Sequence, residues 1–266
     1  PFPALRFRNA GNGRLFFGLE RWSPGGRSLE PGPVLISNAR FKRGSVRLDT
    51  QSYAAPLDKP VSGALAGDET IICLIRMIAA NTGSQSARVE IPVSYSSDSG
   101  RNRNLLSREP DSKHMTDRQV PRSQREPLIV RSLGQADASG SPLVGIVGEY
   151  DGRPVLRCAF AGDMKHESYG EVVRLSTELA PGETREIVFK VPYIDLDQPS
   201  EISALAGMEF EKLREKVRRF WEIECLTGAQ LHTPEPDLDA HHRGHLANVE
   251  ITDSLMPNAA DCVNTS

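Results

Sequence analysis

No stretch of the chain is apolar enough to cross a membrane as a helix. Such a helix needs about 18 or more consecutive apolar residues, whereas the longest run, Ile71 to Ala80, is strand-sized and interrupted by Arg76. Net charge is scarce as well. The 32 lysines and arginines against 35 aspartates and glutamates leave −3, without the basic excess that a nucleic-acid partner requires. Neither a membrane nor a nucleic acid is therefore expected as a partner. The four cysteines, Cys73, Cys158, Cys225 and Cys262, form no C-x-x-C pair and no zinc-finger spacing. Cys73 and Cys158 fall inside apolar strand patterns, where a free thiol packs as a small hydrophobe. The cysteine count permits a disulfide, but the spacing does not signal one.

Missing too are a phosphate-binding P-loop, a G-x-G-x-x-G between strand and helix, and a G-x-S-x-G elbow. No cofactor is expected. The chain opens Pro-Phe-Pro, without the basic start and apolar core of a signal peptide, and the lack of an initiating Met points to a processed or excised segment. No repeat with a period of about 20–50 residues is visible.

What is present is turn chemistry between short apolar runs. The 22 glycines and 19 prolines punctuate the chain often enough to suggest many turns. Leu5 to Trp22 reads as a hairpin, with its tip at Asn9 to Gly13 and its return strand over Leu15 to Trp22. Ser23 to Pro33 reads as a Gly/Pro loop, and Val34 to Ile36 and Ser45 to Leu48 as short strands. Glu69 to Ala79 is the strongest strand, apolar enough to be covered on both faces or to lie at a sandwich centre. Ala87 to Tyr95 alternates Val89, Ile91 and Val93 with polar residues, and its Pro92 argues for an edge or a strand end. Ser96 to Pro127 is a long polar loop in which Arg101, Arg103, Arg108, Arg118, Arg122 and Arg125 mix with acids; a solvated loop explains them more simply than an anion site. Leu128 to Ser132, Leu143 to Tyr150, Val155 to Phe160, Val172 to Glu178 and Arg185 to Val191 complete a regular strand series, with Gly145 and Gly148 weakening one member unless they permit close packing. Turn signals every ~8–12 residues indicate an antiparallel sandwich.

The period then changes. Ser200 is a candidate N-cap for a short helix after Pro199. From Met208 to Leu226, Phe210, Leu213, Val217, Phe220 and Trp221 recur at spacings of three and four, with Ile223 or Glu224 next in line. Glu215 and Arg219 are a favourable pair one turn apart. Gly228, Pro234 and Pro236 stop that helix, and Asp237 to Thr252 reads as a second one.

Candidate chemistry is thin. His241 and His245, one turn apart with His242 between them, could share a metal as H-E-x-x-H does. The glutamate of that motif is absent and a third ligand would have to come from elsewhere, so helix-surface histidines are the plainer reading and no metal is expected. Glu235, Asp237, Asp239, Glu250 and Asp253 are too scattered to name a glycosidase pair, and acids at helix starts ordinarily serve as caps. Trp22 and Trp221 could stack on sugars, though isolated tryptophans more often belong to a core. Catalytic residues are therefore unknown.

Three segments nonetheless carry a family likeness: PGETREIVFKVPY (Pro181 to Tyr193), RRFWE (Arg218 to Glu222) and GAQLHTPEPDLDAHHRGHLANVEIT (Gly228 to Thr252). Together they resemble the junction of bacterial six-hairpin glycosidases. There a β-sandwich leaves through a "P-Y" exit, passes a linker helix, and enters the first helix of an α/α toroid at a "Pro-Glu" connector. The resemblance implies a mainly β chain with an antiparallel β-sandwich at 1–193, a linker with an amphipathic helix at 194–236, and the start of a truncated α/α toroid at 237–266. It implies a parent protein that is a glycoside hydrolase acting on carbohydrate. The family's catalytic acids lie deep in the toroid, so none can be carried across, and this chain alone should be inactive. Met256 to Ser266 reads as the loop after the first toroid helix. That helix would present an uncovered face around Leu238, His242 and Val249, giving self-association. The competing reading is a non-catalytic β-sandwich module for adhesion or protein contact, with a helical assembly tail.

Overall fold

The computed structural model describes residues 13–32, 34–61, 69–97, 125–150, 152–162, 164–224, 233–235, 238–239, 242, 253–255 and 262–264. Among these the chain is mainly β. One antiparallel sheet has four strands, in the spatial order β1 (Gly13–Phe16), β6 (Ala87–Ser97), β11 (Val172–Leu179), β10 (Lys165–Tyr169). The other has eight: β2 (Ser23–Leu29), β3 (Ser37–Arg43), β4 (Val46–Pro56), β5 (Ile71–Asn81), β12 (Thr184–Pro192), β9 (Arg153–Gly162), β8 (Pro142–Tyr150), β7 (Ile129–Ala136). Two helices come after the sheets in the chain, α1 (Pro199–Gly207) and α2 (Phe210–Glu224).

The large sheet buries both faces, and period two separates them. Its inner face carries Leu48, Met77, Phe160, Ile187 and Phe189 against Val89, Ile91, Val93, Val173 and Leu175 of the small sheet. Phe189 is the hub: its ring lies 4.8 Å from that of Phe17 and 6.1 Å from that of Phe160. Each such side chain, fully buried, stabilises by about 1.5–3 kcal/mol. The outer face carries Tyr53, Ile72, Leu74, Leu156 and Ala159 beneath Leu205, Met208, Phe210 and Val217 of the helical segment. β5 shows the division within one strand, with Ile72 and Leu74 facing the helices and Met77 and Ala79 facing the small sheet. Its near-continuous apolar pattern is that of a strand covered on both sides.

Several local expectations need correction. Ser23 to Leu29 forms strand β2 where a loop was expected. It pairs only with β3, shifts register between Pro24 and Gly26, and is exposed at all seven positions. An edge strand tolerates a missing N–H and a bulge, and both blunt it against further pairing. Val34 and Ile36 are buried without forming a strand, and β3 and β4 extend well beyond the runs that apolar alternation marks. β1 stops at Phe16 and pairs with β6; a 3-10 turn, Leu19–Arg21, replaces the rest of the expected return strand, whose hairpin partner near Leu5 lies outside the described residues.

Pro92 lies within β6, which has a neighbour on each side, but at Pro92 itself the ladder is one-sided, as at an edge. The physical reason is local. β1 ends opposite Ser94, so at Pro92 the ladder continues only to Arg174 of β11. Gly18, at φ 59, closes over the proline ring, where a β-carbon would fall 2.2 Å from Pro92 Cγ. Strand β10 is a further surprise: all five residues are exposed, so no alternation betrays it.

The cap of α1 is Gln198, one residue ahead of Pro199, in place of Ser200. Proline suits the first helical position because its missing N–H would have no partner there. The Glu201 carboxylate accepts from the backbone N–H groups of Asp197 and Gln198, each at 3.1 Å. Helix α2 falls within Met208 to Leu226 as the periodicity predicts, with Ile223 off the buried stripe and 60 % exposed. Of the second helical pattern, Leu238, Asp239 and His242 are helical and the rest lies outside the described residues. The expected loop over Met256 to Ser266 contains a strand: β14 (Cys262–Asn264) pairs antiparallel with β13 (Asp253–Leu255).

Candidate functional site

Beside α2, the outer face of the large sheet is left open to solvent as a groove of about 460 Å³. Two rows of residues cross its floor. Ser28, Asn38, Gln51 and Arg76 are successive cross-strand partners from β2 to β5, and Gly26, Arg40, Asp49 and Ile78 form the next row. Cross-strand partners share a face at about 5 Å spacing, so each row is a short ladder of side chains.

The ladder is tied together. The Gln51 amide nitrogen donates to Asn38 Oδ1 at 2.8 Å and to Glu30 Oε1 at 3.0 Å. Arg76 donates to Gln51 Oε1 at 2.9 Å, lies 4.7 Å over the Phe210 ring, and pairs with Glu211 of α2. Arg214 of α2 pairs with Glu30, which holds its guanidinium above the usual arginine range. Arg40 and Arg47 clasp opposite oxygens of Asp49 at 2.7 and 2.8 Å. Tyr53, buried beneath the helix, donates its hydroxyl to Phe210 O, and burial raises its pKa well above the ordinary phenol value. The helix and the groove floor are thus one connected polar structure.

A second cavity of about 430 Å³ lies at the junction of the helical segment with the sheet, lined in part by Asp137, Glu186, Lys190, Glu209 and Glu211. Lys190 is 1 % exposed. Its Nζ donates to Leu205 O at 2.6 Å and Ala206 O at 3.0 Å, carbonyls at the end of α1 where the helix runs out of its own donors. Burial lowers its pKa to about 8, against the opposing pull of Asp137. The lysine therefore pins the helix to the sheet.

At the far side of the sandwich, Arg157 grips Glu126 through Nε at 2.5 Å and a terminal nitrogen at 2.9 Å, and lies 4.0 Å over the Tyr95 ring. Burial raises the Glu126 carboxyl above its usual range, while Arg157 draws it the other way. Gly148 is what admits the pair: a β-carbon there would fall 1.8 Å from Glu126 Oε1. The close packing expected at this glycine is thus accommodation of an ion pair. Arg125, next to it, bridges Ser96 and closes the two ends of the polar segment; the other arginines of that segment lie outside the described residues.

The residues singled out from sequence do not converge. Trp22 is a core residue at 5 % exposure, and Trp221 is a partly buried member of α2 packed against the outer-face core. Cys158 is a buried free thiol whose pKa burial pushes far up, and Cys73 is free and partly buried. Thr233 donates to Asp239 Oδ1 at 2.8 Å, so Asp239 belongs to a helix-start turn with Glu235. His241, His245, Asp237 and Glu250 lie outside the described residues. Among the described residues no three His, Cys, Asp or Glu side chains gather as a metal-sized set. Asn38, Gln51, Arg76 and Lys190 carry no mark of a shared site in the sequence, because each lies on a different strand. Only the cross-strand register, which sequence does not supply, assembles them. No known protein family matches the chain, and no curated protein does.

Proposed function

We propose that this chain is the N-terminal, non-catalytic portion of a glycoside hydrolase-like protein of the six-hairpin type, a sandwich and linker that brace a helical toroid. One observation carries the reading: α1 and α2 are seated rigidly on the outer sheet face rather than tethered to it. Lys190, Arg76, Glu30 and Tyr53 all anchor them. A bracing element must hold the neighbouring domain in a fixed orientation, and helices bonded to a β-sheet do so. The chain then passes Thr233, Pro234 and Glu235 into a helical turn at Leu238 and Asp239, which fits the "Pro-Glu" entry of the resembling family.

The reading frame beyond Ser266 tests this. About 300–400 further residues with repeated helical hairpins, each a few tens of residues long, are expected; a frame without them overturns the proposal. The chain by itself is expected to release no p-nitrophenol from aryl glycosides. Turnover abolished by one carboxylate substitution within residues 1–266 would contradict a non-catalytic role.

A further inference from the structure

We infer that the polar groove on the outer sheet face is a binding platform for a neutral saccharide, contacted by Asn38, Arg40 and Asp49. The choice of a saccharide rests on the carbohydrate-active reading above. Its neutrality and its mode of binding come from the groove itself.

Most of the charges in and around the groove are tied into ion pairs, with arginine in slight excess. Arg40 and Arg47 share Asp49, Arg76 is answered by Glu211, and Arg214 by Glu30. A phosphate, sulfate or polyanion site converges several uncommitted cations on one point, whereas among the described residues Arg27 alone of the lining cations is not in an ion pair. What remains is hydrogen-bonding capacity of both kinds, side by side. Asn38 spends only its carbonyl oxygen, on Gln51, so among the described residues both amide protons are unspent. Arg40 donates through Nε alone, leaving its terminal nitrogens. Each Asp49 oxygen accepts one bond and keeps further lone pairs. A sugar hydroxyl donates and accepts at once, and adjacent hydroxyls need a donor and an acceptor a few ångströms apart. Asn38 and Arg40 stand two residues apart on β3, and Asp49 is the direct cross-strand partner of Arg40.

The floor is ordered before any ligand arrives. Gln51 is held from three sides by Glu30, Asn38 and Arg76, which fixes the Asn38 amide by its oxygen and leaves its nitrogen outside the network. Side chains already fixed lose little further freedom on binding. At the rim, Gly26 leaves open space where a β-carbon would stand. Among the described residues no aromatic ring lines the groove, so affinity rests on hydrogen bonds exchanged against water, and a dissociation constant of about 1 mM is the scale to expect.

The test is calorimetric titration of the full chain with neutral hexasaccharides (malto-, cello-, xylo-, laminari- and mannohexaose) and with an acidic oligogalacturonate. At least one neutral hexasaccharide is expected to give a saturable isotherm. Asn38→Asp keeps an acceptor for Gln51, removes the free amide donors and adds a negative charge near Glu30; it should weaken that binding at least tenfold while the chain still unfolds in one cooperative transition. Ser28→Trp, which fills the groove from the exposed edge strand, should do the same. No isotherm with any neutral sugar, binding of the oligogalacturonate alone, or unchanged affinity in both variants would overturn the inference. Because the titration uses this chain alone, its outcome is independent of what the reading frame beyond Ser266 encodes.

Discussion

The two faces of the eight-stranded sheet use the same strands for different ends. On the inner face, Leu48, Met77, Phe160 and Phe189 meet the small sheet in an apolar layer. On the outer face, the alternate positions of those strands include Asp49, Gln51, Arg76 and Lys190, each bonded to a neighbour or to a helix. Apolar packing is non-directional and gives stability in proportion to buried area. Hydrogen bonds and ion pairs contribute less net free energy, but they fix geometry. The difference assigns stability to the inner face, and orientation of the helices together with recognition to the outer.

The sharpest way to break this comparison is at the inner hub. Phe189→Ala removes a ring packed on Phe17 and Phe160 and is expected to cost about 3–5 kcal/mol in chemical denaturation. A loss below about 1 kcal/mol would mean that the inner layer is not the main source of stability. A comparable loss is expected from Arg157→Ala, which strands the Glu126 carboxylate in a buried site; breaking such pairs typically costs about 3–5 kcal/mol. The same effect on replacing both residues with apolar ones of similar volume would show that the ion pair itself is not the issue.

Lys190 gives a smaller effect with a distinctive sign. Its folded pKa, about 8, lies below its ordinary value. The unfolded chain therefore binds more protons than the folded one from about pH 8 up to the normal lysine range. Over that interval the lysine's contribution becomes more favourable as pH rises, since the cost of burying an ammonium disappears. Cys73, Cys158 and Tyr53 have raised pKa values and act in the opposite direction there. The measurement is therefore a difference: the stability of the native chain minus that of Lys190→Met should climb from about pH 8 to pH 10. A flat difference would remove Lys190 from the role of buried cationic pin.

Smallest of all is the exposed edge of α2. Arg219 pairs with Glu215 at 2.9 Å, yet its side chain is 70 % exposed. Arg219→Ala should change stability by only a few tenths of a kcal/mol, the range of a surface pair one helical turn apart. A loss above about 1 kcal/mol would show that α2 depends on its own surface pairs more than on its seat against the sheet.

The inner face is largely legible in the sequence, because alternation in runs such as Val89, Ile91 and Val93 signals a half-buried strand directly. Helix α2 is legible for the same reason at a different period. Strands β2 and β10 are not, since wholly exposed edge strands bury nothing and leave no pattern. The candidate groove is invisible for a different reason. Ser28, Asn38, Gln51 and Arg76 are scattered along the chain, and only pairing across four strands sets them in one row. Lys190 leaves a faint trace: in the run Ile187 to Val191 it occupies the alternate face from Phe189, the one that α1 covers. The Glu126–Arg157 pair can be anticipated only at Gly148, whose role as a space for an ion pair needs coordinates.

Assignment of recognition to the outer face is tested most directly by mapping backbone amide chemical shifts of the isotopically labelled chain during titration with the neutral hexasaccharides. Saturable shifts centred on Ser28, Asn38, Arg40, Asp49 and Gln51, with the small-sheet amides of β10 and β11 unmoved, are expected. Shifts confined to the small sheet, or no saturable shift on β2 to β4 with any of these sugars, would contradict the assignment.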